Sequence, residues 1–439
     1  MLLPSPSNTM NKIHCTLALS LLVGLSSAYP AVYTSTATGG NWSDGGTWTG
    51  GVPVNDNQVE IVSGASVTLN SYYYSNQTPV LTLSGALTVA NGGTFQGNAG
   101  GNTQQAVLFA NSSAALNIES GGTVSGLRLG VGSAVVANIA ASGTLSMISQ
   151  SAIYGYVAST ISGYNVTLNS GGVLNSGAVG ATVASAPNIF DIGTSSTNAN
   201  WIFTLNVAGG AFNYTGPATA TTTPVARNLS TTRGTVALNI SSGAFNYNGV
   251  NLGWTANVKN NFNWTGGKLE NVYGIVDQTM NNEILADFGA AATQAVDINT
   301  GATAQNWNVG TGALSDNAGT IQFDVFSMTL NDSDRITGTG PLTLNSGVVL
   351  NLGWKGGAVD PTTWDGMTIK LFDLADYSGL SATVADAVWN DGTTDYTVSF
   401  DTTNLNVNGT VTVVPEPSTV ALSLLAGLGL FLARRKLAA

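Results

Sequence analysis

The chain has 439 residues, of which only 8% are charged, against about 25% in an ordinary soluble protein. Its formal net charge of −11 at pH 7 excludes a nucleic acid as a partner, because phosphates would be repelled. Gly, Asn, Ser and Thr replace the missing charges, while recurring aliphatic residues and nine tryptophans exclude a disordered chain.

The N-terminal region has the pattern of a secretory signal. Lys12 and His14 precede an apolar segment at residues 17–25, and the small residues 26–28 follow it, so we predict cleavage after Ala28. Cys15 and His14 are the only cysteine and histidine, and the mature protein is therefore expected to have neither. This excludes disulfides, thiolate or imidazole zinc sites and Ser-His or Cys-His nucleophiles in the mature chain, and no cofactor is expected.

The mature sequence opens with Trp42 and Trp48, which a Gly-rich turn separates, followed by strand-like residues after Pro53. This opening resembles the first repeat of autotransporter-like and PEP-CTERM β-helical surface proteins of bacteria. We expect the two tryptophans to cap the first coil, because the open end of a solenoid must be covered. Stacking of a sugar on either ring is the alternative.

From residue 67 to residue 352 one phrase recurs. It consists of two apolar residues around a polar one, an asparagine, a Gly-Gly or Gly-Ala turn and a second apolar strand. The alternation places one face of a short strand inward, and Asn and Gly close the turns. The phrase occurs at residues 115–118 with 121–124, 166–169 with 171–174, 203–206 with 209–214, 236–239 with 243–247, 262–264 with 266–269, 296–299, 328–331 and 342–345.

Successive phrases repeat every 23 to 37 residues, a period typical of solenoids. This spacing is measured between their central residues, which are Leu116, Leu145, Leu168, Leu205, Leu238, Trp264, Ile298 and Leu330. We predict an all-β fold, a right-handed parallel β-helix over residues 29–352, with asparagines stacked into ladders along its axis. No helical pattern of useful length appears outside the terminal signals. A row of β-sandwich domains is the alternative, but hairpin dipeptides are scarce before residue 352. The residues expected to point into one core are Leu116, Leu168, Leu205, Leu238, Ile298 and Leu330.

Residues 353–413 have a different character. Longer alternating strands at 368–372, 396–400 and 411–414 are joined by acidic turns, and Trp354, Trp364 and Trp389 supply bulk. The region resembles the terminal part of other PEP-CTERM β-helical proteins. We predict a small antiparallel cap that closes the solenoid.

The mature sequence has no recognisable catalytic motif, and we expect neither an enzyme nor a metal site. The hydrolases that the fold suggests pair aspartates with a Gly-His-Gly signature, and a lyase needs carboxylates clustered for Ca²⁺. Five acidic residues lie in residues 29–250 and seventeen in residues 251–413. Asp332 with Asp334, and Asp391 with Asp395, match no calcium-loop spacing, which favours acidic turns on a solvated face. A carbohydrate-active site built from distant residues is the alternative.

The last twenty-six residues, 414–439, divide into three parts: an extended Val414, Pro415, Glu416, Pro417 and Ser418, an uncharged apolar segment 420–433, and the basic Arg434, Arg435 and Lys436. Fourteen helical residues span about 21 Å, which makes a marginal anchor in a hydrocarbon core of about 30 Å. The basic residues favour a cytoplasmic chain end.

This order closely resembles the PEP-CTERM sorting signal, which exosortases of Gram-negative bacteria recognise. The resemblance implies an exosortase as the processing partner, a precursor held transiently in the inner membrane by a short transmembrane helix, and release to the cell surface or extracellular matrix. Residues 414–418 and 434–436 are then substrate residues and none is catalytic. An ordinary C-terminal anchor is the alternative, but it has no need of the Pro-Glu-Pro sequence.

Three classes of function therefore remain open: a structural or adhesive surface protein associated with exopolysaccharide, a polysaccharide-degrading enzyme, and a carbohydrate-binding protein. A three-carboxylate cluster or a deep cleft would favour the enzyme. An exposed, coplanar row of aromatic side chains would favour binding. A smooth face of Asn, Thr and Ser would favour the structural role.

Overall fold

The computed structural model describes residues 31–77, 79–97, 106–131, 136–148, 153–155, 162–179, 201–214, 234–246, 258–274, 278–311, 314–358 and 360–414. Short strands dominate them. In chain order the first seventeen are β1 (Val32–Ser35), β2 (Gly39–Asn41), β3 (Trp48–Thr49), β4 (Gln58–Ile61), β5 (Ser66–Leu69), β6 (Tyr72–Ser75), β7 (Leu81–Leu83), β8 (Ala86–Val89), β9 (Thr94–Gly97), β10 (Ala106–Phe109), β11 (Ala115–Ile118), β12 (Thr123–Val131), β13 (Val136–Ala141), β14 (Thr144–Ile148), β15 (Ile153–Gly155), β16 (Ser162–Leu168) and β17 (Val173–Val179).

The remaining strands are β18 (Trp201–Tyr214), β19 (Gly234–Asn246), β20 (Val258–Trp264), β21 (Gly267–Glu270), β22 (Gln294–Asp297), β23 (Asn306–Gly310), β24 (Leu314–Asp316), β25 (Thr320–Val325), β26 (Arg335–Gly338), β27 (Leu342–Leu344), β28 (Val349–Trp354), β29 (Thr368–Lys370), β30 (Phe372–Leu374), β31 (Thr383–Val384), β32 (Ala387–Asn390), β33 (Asp395–Asp401) and β34 (Thr410–Val414). The described helices are α1 (Gln278–Asp287), α2 (Leu405–Asn408) and 3-10 turns at Gly45–Thr47, Val272–Gly274 and Pro361–Thr363.

The strands pair in parallel between successive turns of the chain and form three stacks. The first stack runs β1-β4-β7-β10-β12-β15. The second runs β2-β5-β8-β11-β13-β16-β18-β19-β20. The third runs β6-β9-β12-β14-β17-β18-β19-β21-β22-β25-β28-β31. The predicted parallel β-helix is confirmed, and the β-sandwich alternative is wrong.

The second half of the solenoid differs from the first in containing a helix, which the sequence analysis does not predict. After β21 the chain forms α1, which packs against β20, β23 and β24. Two further parallel stacks then begin, β23-β26-β30 and β24-β27. Ile284 and Phe288 of this segment are buried, and Phe288 stacks on Trp264 at 5.7 Å between ring centroids. The expectation of no helix is wrong here because an apolar stripe only two turns long gives a weak 3.6-residue pattern.

The core follows the alternation along each strand. Five of the six predicted core residues are buried, with exposures of 2% or less: Leu116, Leu168, Leu205, Leu238 and Ile298. Leu330 is 44% exposed, and its prediction is wrong. It lies in the loop between β25 and β26, where the apolar-x-apolar-Asn phrase of residues 328–331 forms turns and no strand.

Asparagine ladders run along the outside of the second and third stacks, as predicted. Side-chain amides donate to the residue one coil earlier, with Asn206 Nδ2 lying 3.0 Å from Asn165 Oδ1 and Asn239 Nδ2 lying 2.8 Å from Asn206 Oδ1. On the third stack Asn213 Nδ2 donates to Asn175 Oδ1 at 3.2 Å. Each such bond satisfies polar groups that are half-buried between coils.

Glycines at the corner between the second and third stacks allow successive coils to lie close to one another. A Cβ atom built on Gly172 would overlap the carbonyl oxygen of Ala141 and lie 2.8 Å from its carbonyl carbon. Gly122 and Gly143 meet backbone oxygens of the previous coil in the same way. Any side chain at these positions must push two coils apart, because a Cβ has no room beside a backbone oxygen.

The N-terminal end is closed by an aromatic cluster. Trp42 packs against Trp48 at 4.9 Å and against Tyr73 at 4.7 Å, and Trp48 Nε1 donates to Trp42 O at 2.7 Å. Burial raises the pKa of Tyr73 to about 12. Trp42 and Trp48 are only 3% and 4% exposed, so their capping role is confirmed and the sugar-stacking alternative is wrong.

The C-terminal end carries the predicted antiparallel sheet, in the order β29-β34-β33-β32. Trp389 is fully buried beneath it and contacts Trp354 at 5.2 Å and Trp364 at 5.4 Å. Parallel pairing of β30 with β26 and of β31 with β28 continues beyond residue 352. The last coil and the antiparallel cap are therefore interleaved in the sequence.

Candidate functional site

The sorting segment begins where the antiparallel cap ends. β34 lies inside this sheet, with β29 on one side and β33 on the other. Val413 N donates to Met367 O at 2.9 Å, and Val413 O accepts from Gly366 N at 3.0 Å. Val414, the last residue of β34, pairs with Ser399 and is 40% exposed. Since Pro415 follows directly, the motif is attached to the folded cap without a linker.

The other predicted site residues lie outside the described residues: Pro415, Glu416, Pro417, Ser418, Arg434, Arg435, Lys436 and the predicted signal cleavage at Ala28. The two terminal signals, which the sequence predicts to be helical, lie outside them as well. Within the part of the chain that the structure does describe, no helix combines the length and the apolar character needed to span a bilayer.

Three buried aspartates lie close together in the second half of the solenoid, and sequence reasoning did not group them. Asp297 ends β22, Asp324 is in β25, and Asp334 directly precedes β26, with exposures of 5%, 4% and 0%. Lys268 Nζ lies 2.7 Å from Asp297 Oδ2, and Lys355 Nζ lies 3.6 Å from Asp324 Oδ2. One ion pair therefore joins β21 to β22, and the other joins β25 to the residue that follows β28.

The carboxylates of this cluster are occupied by donors of the chain itself. Asp334 accepts from Gln305 N at 2.9 Å and from Asp324 N at 3.1 Å, while Asn299 Nδ2 lies 3.5 Å away. Burial nevertheless raises the pKa of Asp334 to about 7 and also raises the pKa of Asp324. The expectation that Asp334 belongs to a solvated acidic turn is wrong, because its partners come from distant coils that sequence spacing does not reveal.

The acidic turn at Asp391 matches the sequence interpretation. Asp391 Oδ1 accepts from Thr393 Oγ1 and from the backbone N–H groups of Thr393 and Thr394, each at 2.8 Å. These bonds, led by the Thr393 hydroxyl, lower the pKa of Asp391 to about 2. Across the described ranges no group of three or more His, Cys, Asp or Glu side chains is arranged to hold a metal ion.

A fourth buried carboxyl, Asp316, has one oxygen without a hydrogen-bond partner among the described residues. It ends β24 opposite the buried Leu344, is 1% exposed, and its Oδ2 makes no hydrogen bond. Burial raises the pKa of Asp316 to about 8, so the carboxyl is largely protonated at neutral pH. Asp316 pairs with an apolar residue and therefore points into the core. The alternation along β24 could have predicted this inward position from the sequence.

We expect the stability of the solenoid to fall as the pH rises. The folded chain keeps protons on Asp316 and Asp334 that the unfolded chain releases near pH 3.8, so the free energy of unfolding decreases from about pH 4 to about pH 8. Asp316→Asn, which has no charge at any pH, is expected to remove the part of this loss that comes from Asp316, about 1.4 kcal/mol for each pH unit between the two pKa values. Denaturant unfolding at pH 5 and pH 8.5 measures the difference.

Asp391→Asn is the control, because the pKa of Asp391 lies below this pH interval. A wild-type chain that is more stable at pH 8.5 than at pH 5 would contradict the assignment of protonated buried carboxyls.

Comparison with known proteins gives a match for the C-terminal segment. The geometry defines a parallel β-helix closed by an antiparallel cap, from whose central strand a C-terminal tail emerges. Residues 413–436 match the PEP-CTERM protein-sorting motif. No match was found among curated proteins. Similar solved structures include the crystal structure of a TibC-catalyzed hyper-glycosylated TibA fragment, at 12% identity and a TM-score of 0.19 over 82% of this chain and 97% of that chain.

The fold assignment rests on the observed strand pairing, since a TM-score this low carries no argument. The sequence-based recognition of the sorting motif is confirmed. The motif marks the chain as a secreted bacterial protein that an exosortase processes and that belongs to the cell envelope or the extracellular space.

Proposed function

We propose that the chain is a non-catalytic structural or adhesive protein that reaches the surface or matrix of a Gram-negative bacterium and associates there with exopolysaccharide. The observation that carries this proposal is a capped, continuous β-helix joined directly to a sorting motif. In the precursor, residues 420–433 would be held in the inner membrane with Arg434, Arg435 and Lys436 on the cytoplasmic side. The exosortase then supplies the catalytic groups, and residues 414–418 are its substrate.

The outer surface of the solenoid supports the structural role. The outward positions of the second and third stacks carry mainly Asn, Thr, Ser and Ala between residues 115 and 263, and the asparagines are hydrogen-bonded to one another. Of the described tryptophans, Trp42, Trp48, Trp264, Trp307, Trp364 and Trp389 are buried. They form no exposed aromatic row of the kind that a carbohydrate-binding protein uses for stacking.

A polysaccharide-degrading enzyme is the second candidate, because Asp297, Asp324 and Asp334 form a three-carboxylate cluster. A hydrolase needs its acid and base within reach of the glycosidic bond. These carboxyls are at most 5% exposed and accept hydrogen bonds or ion pairs from the protein itself. The cluster therefore favours a role in joining coils over a role in catalysis.

Replacing Pro415, Glu416 and Pro417 together with alanine is expected to leave full-length precursor in the inner membrane. Alanine removes the fixed extended backbone that a membrane protease would bind as a strand. Fractionation followed by mass measurement of the C-terminus reads out both location and processing.

The control replaces Thr402, Thr403 and Asn404, which are exposed in the cap, with alanine. This control variant should be processed like the wild-type protein. A Pro-Glu-Pro variant that reached the surface with its tail removed would contradict the proposal.

A further inference from the structure

The C-terminal end of α1 closes the end of the second stack. β20 is the last described strand of that stack, and the chain around the end of α1 binds the polar backbone groups of its final residue. Trp264 N donates to Asp287 Oδ2 at 3.3 Å, and Trp264 O accepts from Gln294 Nε2 at 2.7 Å. Gln294 Nε2 also donates to Asp287 O at 2.7 Å. The end of α1 thus takes the place that a further strand of the stack would hold.

An aromatic contact completes this closure. Phe288, which directly follows α1, stacks on the ring of Trp264, and both side chains are at most 3% exposed. Phe288 N donates to Ile284 O at 2.9 Å, so the phenyl ring is tied to the last turn of the helix. Displacing α1 would therefore expose the ring of Trp264 and the edge of β20 together.

Asp316 packs against the backbone just beyond α1. Gly289 has a φ of 85°, and a Cβ atom built on it would lie 2.9 Å from both Cβ and Oδ1 of Asp316. The last carbonyl groups of a helix are the negative end of its dipole, and they disfavour a second negative charge beside them. Asp316 is 1% exposed, and its Oδ2 has no hydrogen-bond partner among the described residues. The position therefore suits a neutral carboxyl and opposes a carboxylate.

The described elements around Asp316 supply no cation at this end of α1. β23, β27 and the rest of β24 contain no ionisable residue, and α1 contains only the acidic Glu283 and Asp287. β20 contains Lys259, about 16 Å along the strand from Trp264. Burial also raises the pKa of Asp287, although the bond from Trp264 N opposes this shift. Ionised Asp316 would therefore lie beside a second acidic group and have no ion-pair partner.

We propose that Asp316 is a pH-sensitive latch: when it loses its proton, the segment from α1 to Gly289 moves off β20 and β24 and exposes Trp264 with the edge of β20. The closed state needs the neutral carboxyl, whereas the open state lets the carboxylate reach water. An unpaired strand edge beside an aromatic ring is a surface on which another chain can pair. The change is local and does not depend on the proposed function.

Proton linkage sets the direction and the size of the effect. Burial raises the pKa of Asp316 in the closed state to about 8, and the open state returns the carboxyl to its ordinary value of 3.8. The closed state is therefore most favoured below about pH 4. From there the opening equilibrium shifts toward the open state by about tenfold per pH unit, and it becomes constant above about pH 8.

Amide hydrogen exchange of the purified protein at pH 5 and pH 7 tests the latch. After correction for the intrinsic pH dependence of exchange, we expect the protection factors of Ile284, Leu285 and Phe288 to fall by about a hundredfold over this interval. Because local opening exposes little surface, 1 M urea should hardly change them. If urea accelerated exchange in α1 as steeply as in β8, α1 would open only when the solenoid unfolds, and the latch would be overturned.

Asp316→Asn and Asp287→Asn form a matched pair of variants. Asp316→Asn keeps the shape of the neutral carboxyl without a charge at any pH, so most of the pH dependence of exchange in α1 should disappear. Asp287→Asn keeps an oxygen that can accept from Trp264 N and should retain the pH dependence. Exchange in the wild-type α1 that does not depend on pH, or a dependence that persists in Asp316→Asn and is lost in Asp287→Asn, would overturn the proposal.

Discussion

Gly172→Ala is expected to lower the free energy of unfolding by about 3 kcal/mol, at the upper end of what overpacking costs. Its added Cβ would overlap the carbonyl oxygen of Ala141 in the previous coil, and neither atom can rotate away because the backbone fixes the position of both. Gly172 does not have a left-handed φ, so the expected effect is steric and not conformational. Denaturant unfolding followed by circular dichroism measures it.

Gly45→Ala is the control for this prediction. A Cβ on Gly45 meets nothing within 4 Å, so this variant should differ from the wild-type protein by less than about 0.5 kcal/mol. Equal stability of the two variants would contradict the close contact between Gly172 and the carbonyl oxygen of Ala141.

Trp389→Ala is expected to destabilise the C-terminal cap by about 3–5 kcal/mol, the usual cost of truncating a buried large aromatic residue. The substitution removes contacts with Trp354, Trp364 and Phe400 and the hydrogen bond from Trp389 Nε1 to Leu352 O at 2.9 Å. Faster amide hydrogen exchange in β32, β33 and β34 would report the loss locally.

The neighbouring Val388→Ala provides the matched control, because Val388 is 68% exposed on the same strand. It should leave exchange in the cap nearly unchanged. If Trp389→Ala left the exchange of β33 and β34 unchanged, the aromatic cluster would not be what holds the cap on the last coil.

The strands and their buried faces were predictable, whereas their register was not. Alternation alone places Leu145 and Trp264 inward, and both are buried. Yet Leu145 pairs with Val124 in the third stack, while Leu116 pairs with Ile139 in the second. One coil contributes several similar phrases, and a slip of two residues keeps the same face buried. The register is set by turn lengths that differ from coil to coil.

The buried carboxyls could not be predicted because their environment is assembled from distant residues. Asp334 has the sequence context of an acidic turn, next to Asp332 and Ser333. Its partners Gln305 and Asp324 reach it only after two separate parallel stacks have formed. The sorting motif was easier to predict than the buried carboxyls. Its residues Pro415, Glu416 and Pro417 are adjacent in the sequence, and each proline restricts its own backbone.

The stacking of parallel coils has a mechanical consequence for a protein held at one end. β1 and β34 belong to opposite ends of the stack, so a load between the envelope and the outer layer would act along the axis. Force then separates neighbouring coils in the direction of their hydrogen bonds, and coils can peel one at a time. A coil of 33 residues, such as that between Asn206 and Asn239, releases about 110 Å of extended chain. The solenoid would thus lengthen in steps under tension and absorb work before its attachment breaks.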